Sequence, residues 1–94
     1  MARIYFTEGE KQLEAIMRYL HDEQRVRGIT VFRGISGFGS LGSLHSSSLT
    51  SVLFEMPLVI EFFDEASKVK RIINELNKNI QPGHIVSWPV TVNE

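Results

Sequence analysis

Ile4 and Phe6 alternate with polar or amphipathic neighbours, and this two-residue period predicts a short opening strand over Arg3 to Phe6. Thr7 offers a hydroxyl suited to a helix N-cap, and Glu8 and Glu10 place negative charge at the positive end of the helix dipole. Leu13, Ile16, Met17 and Leu20 then recur at i, i+3, i+4 and i+7, so one stripe of the predicted helix faces a core. Past the polar patch His21 to Arg25, the stretch Val26 to Ile35 carries Ile29, Val31, Phe32 and Ile35 and predicts a second strand, with Gly28 marking a bulge. From Ser36 to Ser51 the pattern stops, and glycines (Gly37, Gly39, Gly42) and, between Ser40 and Ser51, six serines replace it. Pro57 closes this long connection. Leu58 to Phe63 is nearly continuous in apolar residues, the mark of a central strand covered on both faces. Asp64 and Ser67 are N-cap candidates for a second helix, in which Val69, Ile72, Ile73 and Leu76 repeat the helical spacing. Pro82 and Gly83 end it, and Ile85, Val86, Trp88, Val90 and Val92 predict a last strand. Pro89 lacks an N–H, which assigns that strand to a sheet edge or makes it bulge there.

The order is β-α-β-loop-β-α-β, an α+β, ferredoxin-like βαββαβ sandwich with a long loop between strands 2 and 3. Two short helices on one face of a four-stranded antiparallel sheet leave the other face open. Apolar residues pointing both ways from Leu58 to Phe63 predict that other subunits meet that face.

Ninety-four residues fit one domain spanning 1–94. Ten basic against eleven acidic side chains give a net charge of -1, which disfavours nucleic acid and anionic lipid as partners. The absence of cysteine removes disulfides, thiolate metal sites and thiol nucleophiles, and fits a reducing, cytoplasmic home. The longest apolar run, Met56 to Phe63, contains Glu61 and falls well short of the roughly 20 residues that cross a bilayer. Met1 to Phe6 lacks the apolar stretch of a signal peptide.

Gly37-Phe38-Gly39-Ser40-Leu41-Gly42 satisfies G-x-G-x-x-G literally, but the serine-rich Ser43 to Thr50 is not the helix that a dinucleotide fingerprint requires next. No Gly-Lys-Ser/Thr occurs, so a phosphate-binding P-loop is excluded. Two readings of the glycines remain open: a plain hairpin tip, or backbone N–H groups gathered around an anion with Arg33 at the entrance. Arg33 to Gly39 also echoes an RNA-recognition octapeptide, yet Ile35 stands where an aromatic is needed. His45 lies among Ser43, Ser46, Ser47 and Ser48 without an orienting acid or an oxyanion hole, so a hydrolytic site is not expected. His21 and His84 show no metal-ligand spacing. Glu55, Glu61 and Asp64 read as solvated or capping carboxylates rather than a pair for acid–base work, and Lys68, Lys70, Arg71 and Lys78 as the wet face of the second helix. An acylphosphatase-type enzyme would need an arginine after the first strand, where Thr7-Glu8-Gly9-Glu10 is acidic instead. The residues therefore point away from catalysis.

The run Arg33-Gly34-Ile35-Ser36-Gly37-Phe38-Gly39, preceded by Gly28-Ile29-Thr30-Val31 and followed by His45, then Pro57 and Asp64, resembles the uncharacterised PII-like family known as domain of unknown function 190. The resemblance covers nearly the whole chain. Where that family tends to carry Gly-Lys-Pro-Leu, this chain has Gly9-Glu10-Lys11-Gln12. The resemblance implies a ferredoxin-like subunit, a homotrimer, and kinship with PII signal-transduction and CutA-like proteins. By analogy with PII proteins, which sense adenine nucleotides between subunits, it implies a cleft bounded by Arg33, Gly34, Gly37, Phe38 and Gly39, by His45, and by the turn from Gln81 to His84. The expectation is a non-enzymatic, cytoplasmic regulatory module without a resident cofactor or metal. Its ligand would be an adenine nucleotide or another small anion, and its Gly/Ser-rich loop would contact a protein partner of unknown identity. The alternative is a structural trimer that docks a partner and takes no small molecule.

Overall fold

A computed structural model describes residues 1–7, 12–35 and 57–94. β1 (Ala2–Thr7) leads to α1 (Gln12–Arg18), which runs into a π-helical turn over Tyr19–Glu23. β2 (Gly28–Arg33), β3 (Pro57–Phe63), α2 (Ala66–Leu76) and β4 (Ile85–Ser87) follow. The strands form one antiparallel sheet in the order β2-β3-β1-β4. Each βαβ crossover skips one strand, so the two halves interleave and the fold is ferredoxin-like α+β, as the element order predicts.

Both helices cover the same face. Ile4 and Phe6 of β1, with Leu58, Ile60 and Phe62 of β3, meet Ile16 and Leu20 on one side and Val69, Ile72 and Leu76 on the other. The helical stripes read from the sequence are therefore the buried ones, with Leu13, Met17 and Ile73 packed at the margin. Phe62, Ile4, Leu20, Ile60 and Ile72 are the largest fully buried side chains, each contributing about 1.5–3 kcal/mol by leaving water. No buried polar side chain interrupts this core among the described residues.

Several boundaries differ from the sequence pattern. β2 is shorter than Val26 to Ile35, because the π-helical turn and its exit occupy the start. Gln24 N–H donates to Tyr19 O at 2.9 Å and Val26 N–H to Leu20 O at 3.2 Å, while Arg25 takes the left-handed conformation (φ 49°) that ends the helix. Gly28 is not a bulge. It stands in regular register opposite Phe63, whose ring occupies the space a β-carbon would fill. β4 stops at Ser87 rather than Val92, since the register of Ala2 with Ser87 places β1's first residues opposite Ser87 and Trp88. β4 does lie at a sheet edge, but Pro89 stands beyond its end and has no part in the ladder. α2 begins at Ala66 with Glu65 at the N-cap and no capping side chain. Asp64 instead accepts the Glu65 and Arg27 N–H groups (2.8 and 3.2 Å) and pairs with Lys68 Nζ (3.0 Å), tying β2's approach to the start of α2. That helix ends at Leu76, before Pro82 and Gly83, which belong to the turn that enters β4. The expected Thr7 cap and the glycine loop fall partly or wholly on residues outside those described.

Candidate functional site

The face of the sheet turned away from the helices carries the alternate residues of every strand. Arg3 and Tyr5 come from β1, Thr30 and Phe32 from β2, Val59, Glu61 and Phe63 from β3, and Val86 from β4. Tyr5, Phe32, Val86 and the following Trp88 are exposed, so β3 is covered on only one face within the chain. Arg3 Nε donates to Glu61 Oε2 at 2.6 Å in the middle of this surface, and the Arg3 guanidinium lies over the Trp88 ring, 5.3 Å from its centroid. Glu61 is thus paired rather than solvated, contrary to the reading from sequence, because the β1–β3 register sets it directly opposite Arg3. The signal was present in the alternation of Arg3 and Tyr5 with Ile4 and Phe6; what was missing was the pairing partner. A concavity of about 240 Å³ opens on this face between Arg3, Phe32 and Val59.

The expected ligand residues divide into two groups. Gly37, Phe38, Gly39 and His45 lie outside the described residues. Arg33, Gly34 and His84 lie within them. Arg33 is the exposed last residue of β2, in register with Leu58. Gly34 follows it, donates its N–H to Pro57 O at 2.8 Å, and packs so closely on Pro57 that a β-carbon would stand 2.7 Å from Cγ. Gly34 therefore allows the two ends of the long connection to approach one another.

His84 is fixed at the entry of β4. Tyr5 N–H donates to its carbonyl at 2.9 Å, its own N–H reaches Gln81 O at 3.4 Å, and its ring Nδ1 contacts Tyr5 O at 3.3 Å. A carbonyl accepts only, so Nδ1 carries the proton in this contact and Nε2 is left to accept from another group when the ring is neutral. Gly83, at φ +91°, turns the chain into this position.

Arg33 and His84 lie near the same end of the sheet, in the rows of Phe6 and Tyr5, but on its two opposite edges. Three strand spacings separate those edges, about 14 Å. One chain does not bring the two groups together. Elsewhere, a shallow concavity of about 520 Å³ lies beside His21, Asp22, Arg25 and Val26, where His21 Nδ1 and Asp22 Oδ1 are 2.7 Å apart. It contains none of the expected ligand residues. No group of three or more potential metal ligands occurs among the described residues, and no helix among them is long and apolar enough to cross a membrane.

Comparisons with known proteins match this chain to a family across nearly its entire length. The model of the DUF190 family, described as "Uncharacterized ACR", matches residues 2–92. A UPF0166 protein of Aquifex aeolicus (strain VF5) is 31% identical over 80 residues, covering 81% of this chain and 76% of that protein. A second match to a UPF0166 protein of the same organism is 31% identical over 94 residues, covering 100% of this chain and 96% of the relative. With its match running from the first residues of β1 to beyond β4, the chain belongs to the DUF190 family.

Proposed function

We propose that the protein is a non-enzymatic, PII-like regulatory module that works as a homotrimer in the cytoplasm. Each cleft between subunits takes a small anionic ligand, with an adenine nucleotide as the specific candidate. The observation that carries this reading is the position of Arg33 and His84: near one end of the sheet, on opposite edges, they become neighbours only if a second subunit supplies one of them. The exposed apolar face formed by Tyr5, Phe32, Val86 and Trp88 supports the same assembly, since contiguous apolar surface of this kind marks an interaction site.

In this role Arg33 supplies positive charge, and His84, whose Nδ1–H is turned to Tyr5 O, donates Nε2–H to an anion in its protonated form. The N–H groups of the glycine segment from Gly37 to Gly39, with His45, complete the contacts. Residues 37–50 then carry the response to a protein partner. A ligand shifts that response only by binding one arrangement of the cleft more tightly than another.

A native mass spectrum of the purified protein reads both subunit number and any retained small molecule. Calorimetry against ATP, ADP, AMP and cyclic nucleotides tests the ligand, with Arg33→Ala as control. Binding by one of them that weakens at least tenfold in Arg33→Ala is the expected result. Silence toward all of them, by a protein that is trimeric, removes the nucleotide and favours a structural trimer.

A further inference from the structure

Among the described residues Arg25 is the one other than glycine with a positive φ, at 49°. It closes the helical segment, where Gln24 N–H reaches Tyr19 O and Val26 N–H reaches Leu20 O. Glycine is the usual occupant of such a position, because the left-handed conformation crowds a β-carbon. A side chain held in this conformation without a part in the fold points to a function. The Arg25 guanidinium has no hydrogen-bond or ion-pair partner among the described residues. Arg27, two residues on, differs: its guanidinium lies over the Phe63 ring, and its N–H donates to Asp64.

The same turn keeps two opposite charges apart. Asp22 and Arg25 stand at i and i+3, a spacing at which an acid and an arginine pair on a regular α-helix. The π-helical turn over Tyr19–Glu23 and the left-handed Arg25 break that spacing, and among the described residues Asp22 pairs with His21 alone. Asp22 Oδ1 accepts from His21 Nδ1 at 2.7 Å. An ionised carboxylate only accepts, so the neutral imidazole carries its proton on Nδ1, and Nε2 is an acceptor in addition to Asp22 Oδ2. The concavity of about 520 Å³ is lined by these three side chains and by Val26, which packs on the core and forms a fixed apolar wall. Its size is in the range of small-molecule sites. The His21 and Asp22 side chains are 76% and 60% exposed, so the site is open to solvent.

We propose that this concavity binds a free α-amino acid. The ligand carboxylate pairs with the Arg25 guanidinium, the ammonium donates to Asp22 Oδ2 and His21 Nε2, and the ligand side chain lies against Val26. The two charges of an α-amino acid flank a single carbon, so one small molecule bridges groups that do not reach each other. A simple anion would meet repulsion from Asp22 and a simple cation repulsion from Arg25, whereas a zwitterion is matched by both. The site is complete within one chain. It lies at the end of β2 away from Arg33, and the six-residue strand from Gly28 to Arg33 spans about 17 Å. It is therefore separate from the anion cleft proposed above. Its contacts are solvated, which gives weak binding, with a Kd on the order of 1 mM.

The test is an amide-resolved NMR titration of the full chain with the standard L-α-amino acids, taken one at a time. For each one that binds, the same molecule without its amino group and without its carboxylate is titrated alongside. Saturable shifts at residues 21–26 with at least one amino acid, and at least tenfold weaker binding of both stripped analogues, are the expected result. Asp22→Asn, which still accepts from His21, is expected to weaken binding at least tenfold. Arg25→Gly and Arg25→Asn are expected to do the same with thermal unfolding no earlier than that of the unmodified chain, since both residues suit the left-handed conformation. Arg33→Ala should bind the amino acid as the unmodified chain does. No saturable shift with any amino acid overturns the proposal. Equal binding of the analogue without the amino group overturns it in favour of a plain anion contact at Arg25. A folded Arg25→Gly protein that binds as tightly as the unmodified chain overturns it as well. None of these failures touches the anion cleft, which Arg33→Ala tests with nucleotides.

Discussion

Arg3 and Glu61 stand opposite one another on the central strands, Nε to Oε2 at 2.6 Å, in the middle of an otherwise largely apolar face. The Glu61 side chain is 18% exposed and that of Arg3 42%. The hydrogen bond to Glu61 raises the arginine pKa further, and a guanidinium in a protein keeps its proton. Covering this face in an assembly takes both charges out of water. A pair kept whole tolerates that, whereas a pair broken on one side leaves a buried charge without its partner.

Arg3→Met is accordingly expected to weaken self-association at least tenfold, and the double variant Arg3→Met/Glu61→Leu to recover most of the loss. Sedimentation equilibrium on the unmodified protein, both single variants and the double variant measures the coupling. Additive effects would show that the two charges do not act as a pair.

The Phe63 ring, with its Cε1 foremost, fills the site a Gly28 side chain would need, and the Arg27 guanidinium lies 5.9 Å from the ring centroid on the same aromatic. Gly28→Val forces the ring away and is expected to cost about 1–3 kcal/mol in denaturant unfolding. Phe63→Leu in the same chain should restore part of that loss. Gly83 differs, because nothing lies within 4 Å of its β-carbon position and its demand is the φ of +91° alone. Gly83→Ala is expected to cost about 1–2 kcal/mol through the backbone, with no rescue by a neighbouring substitution.

Asp64, its side chain only 7% exposed, holds the junction of β2, β3 and α2 together. Burial pushes its pKa upward, but the hydrogen bonds from Glu65 N–H and Lys68 outweigh burial, and the carboxyl titrates below its ordinary value. The folded pKa is lower than the unfolded one, so this stabilisation is present above the ordinary carboxylate range and is lost as pH falls through the folded value. Asp64→Asn should therefore lose about 1–3 kcal/mol at neutral pH. Urea titrations at pH 7 and below about pH 3 check the sign: the gap between the two proteins should narrow in acid, and a constant gap would contradict it.

Leu20 is fully buried although it sits in the π-helical turn rather than in regular α-helix. Leu20→Ala is expected to destabilise by about 2–5 kcal/mol, a core-residue cost. A loss under 1 kcal/mol in equilibrium unfolding would mean that the turn yields and the cavity collapses.

Much of the fold was legible because burial imposes a period on the chain. The stripe of Leu13, Ile16, Met17 and Leu20, its counterpart on α2, and the apolar run of β3 each report a face turned to a core. Strand ends were less legible, since a strand extends only as far as its neighbour does: Val90 and Val92 have the right pattern, but β1 offers them no partner. Gly28 carried a real signal, a place where a side chain is excluded, but sequence alone could not tell a bulge from an aromatic ring. The candidate cleft was legible as residue types at Arg33, Gly34 and His84. Their separation on opposite edges of one sheet was not, because edge positions follow from strand order.

The amino-acid sequence by itself determined the element order and the apolar faces of both helices, since hydrophobic spacing acts locally. Only the tertiary structure decided that Arg3 meets Glu61, that Phe63 occupies the space beside Gly28, and that Arg33 and His84 lie at one end of the sheet yet apart. Those relationships join residues far apart in the chain, and they depend on which strands pair and in what register.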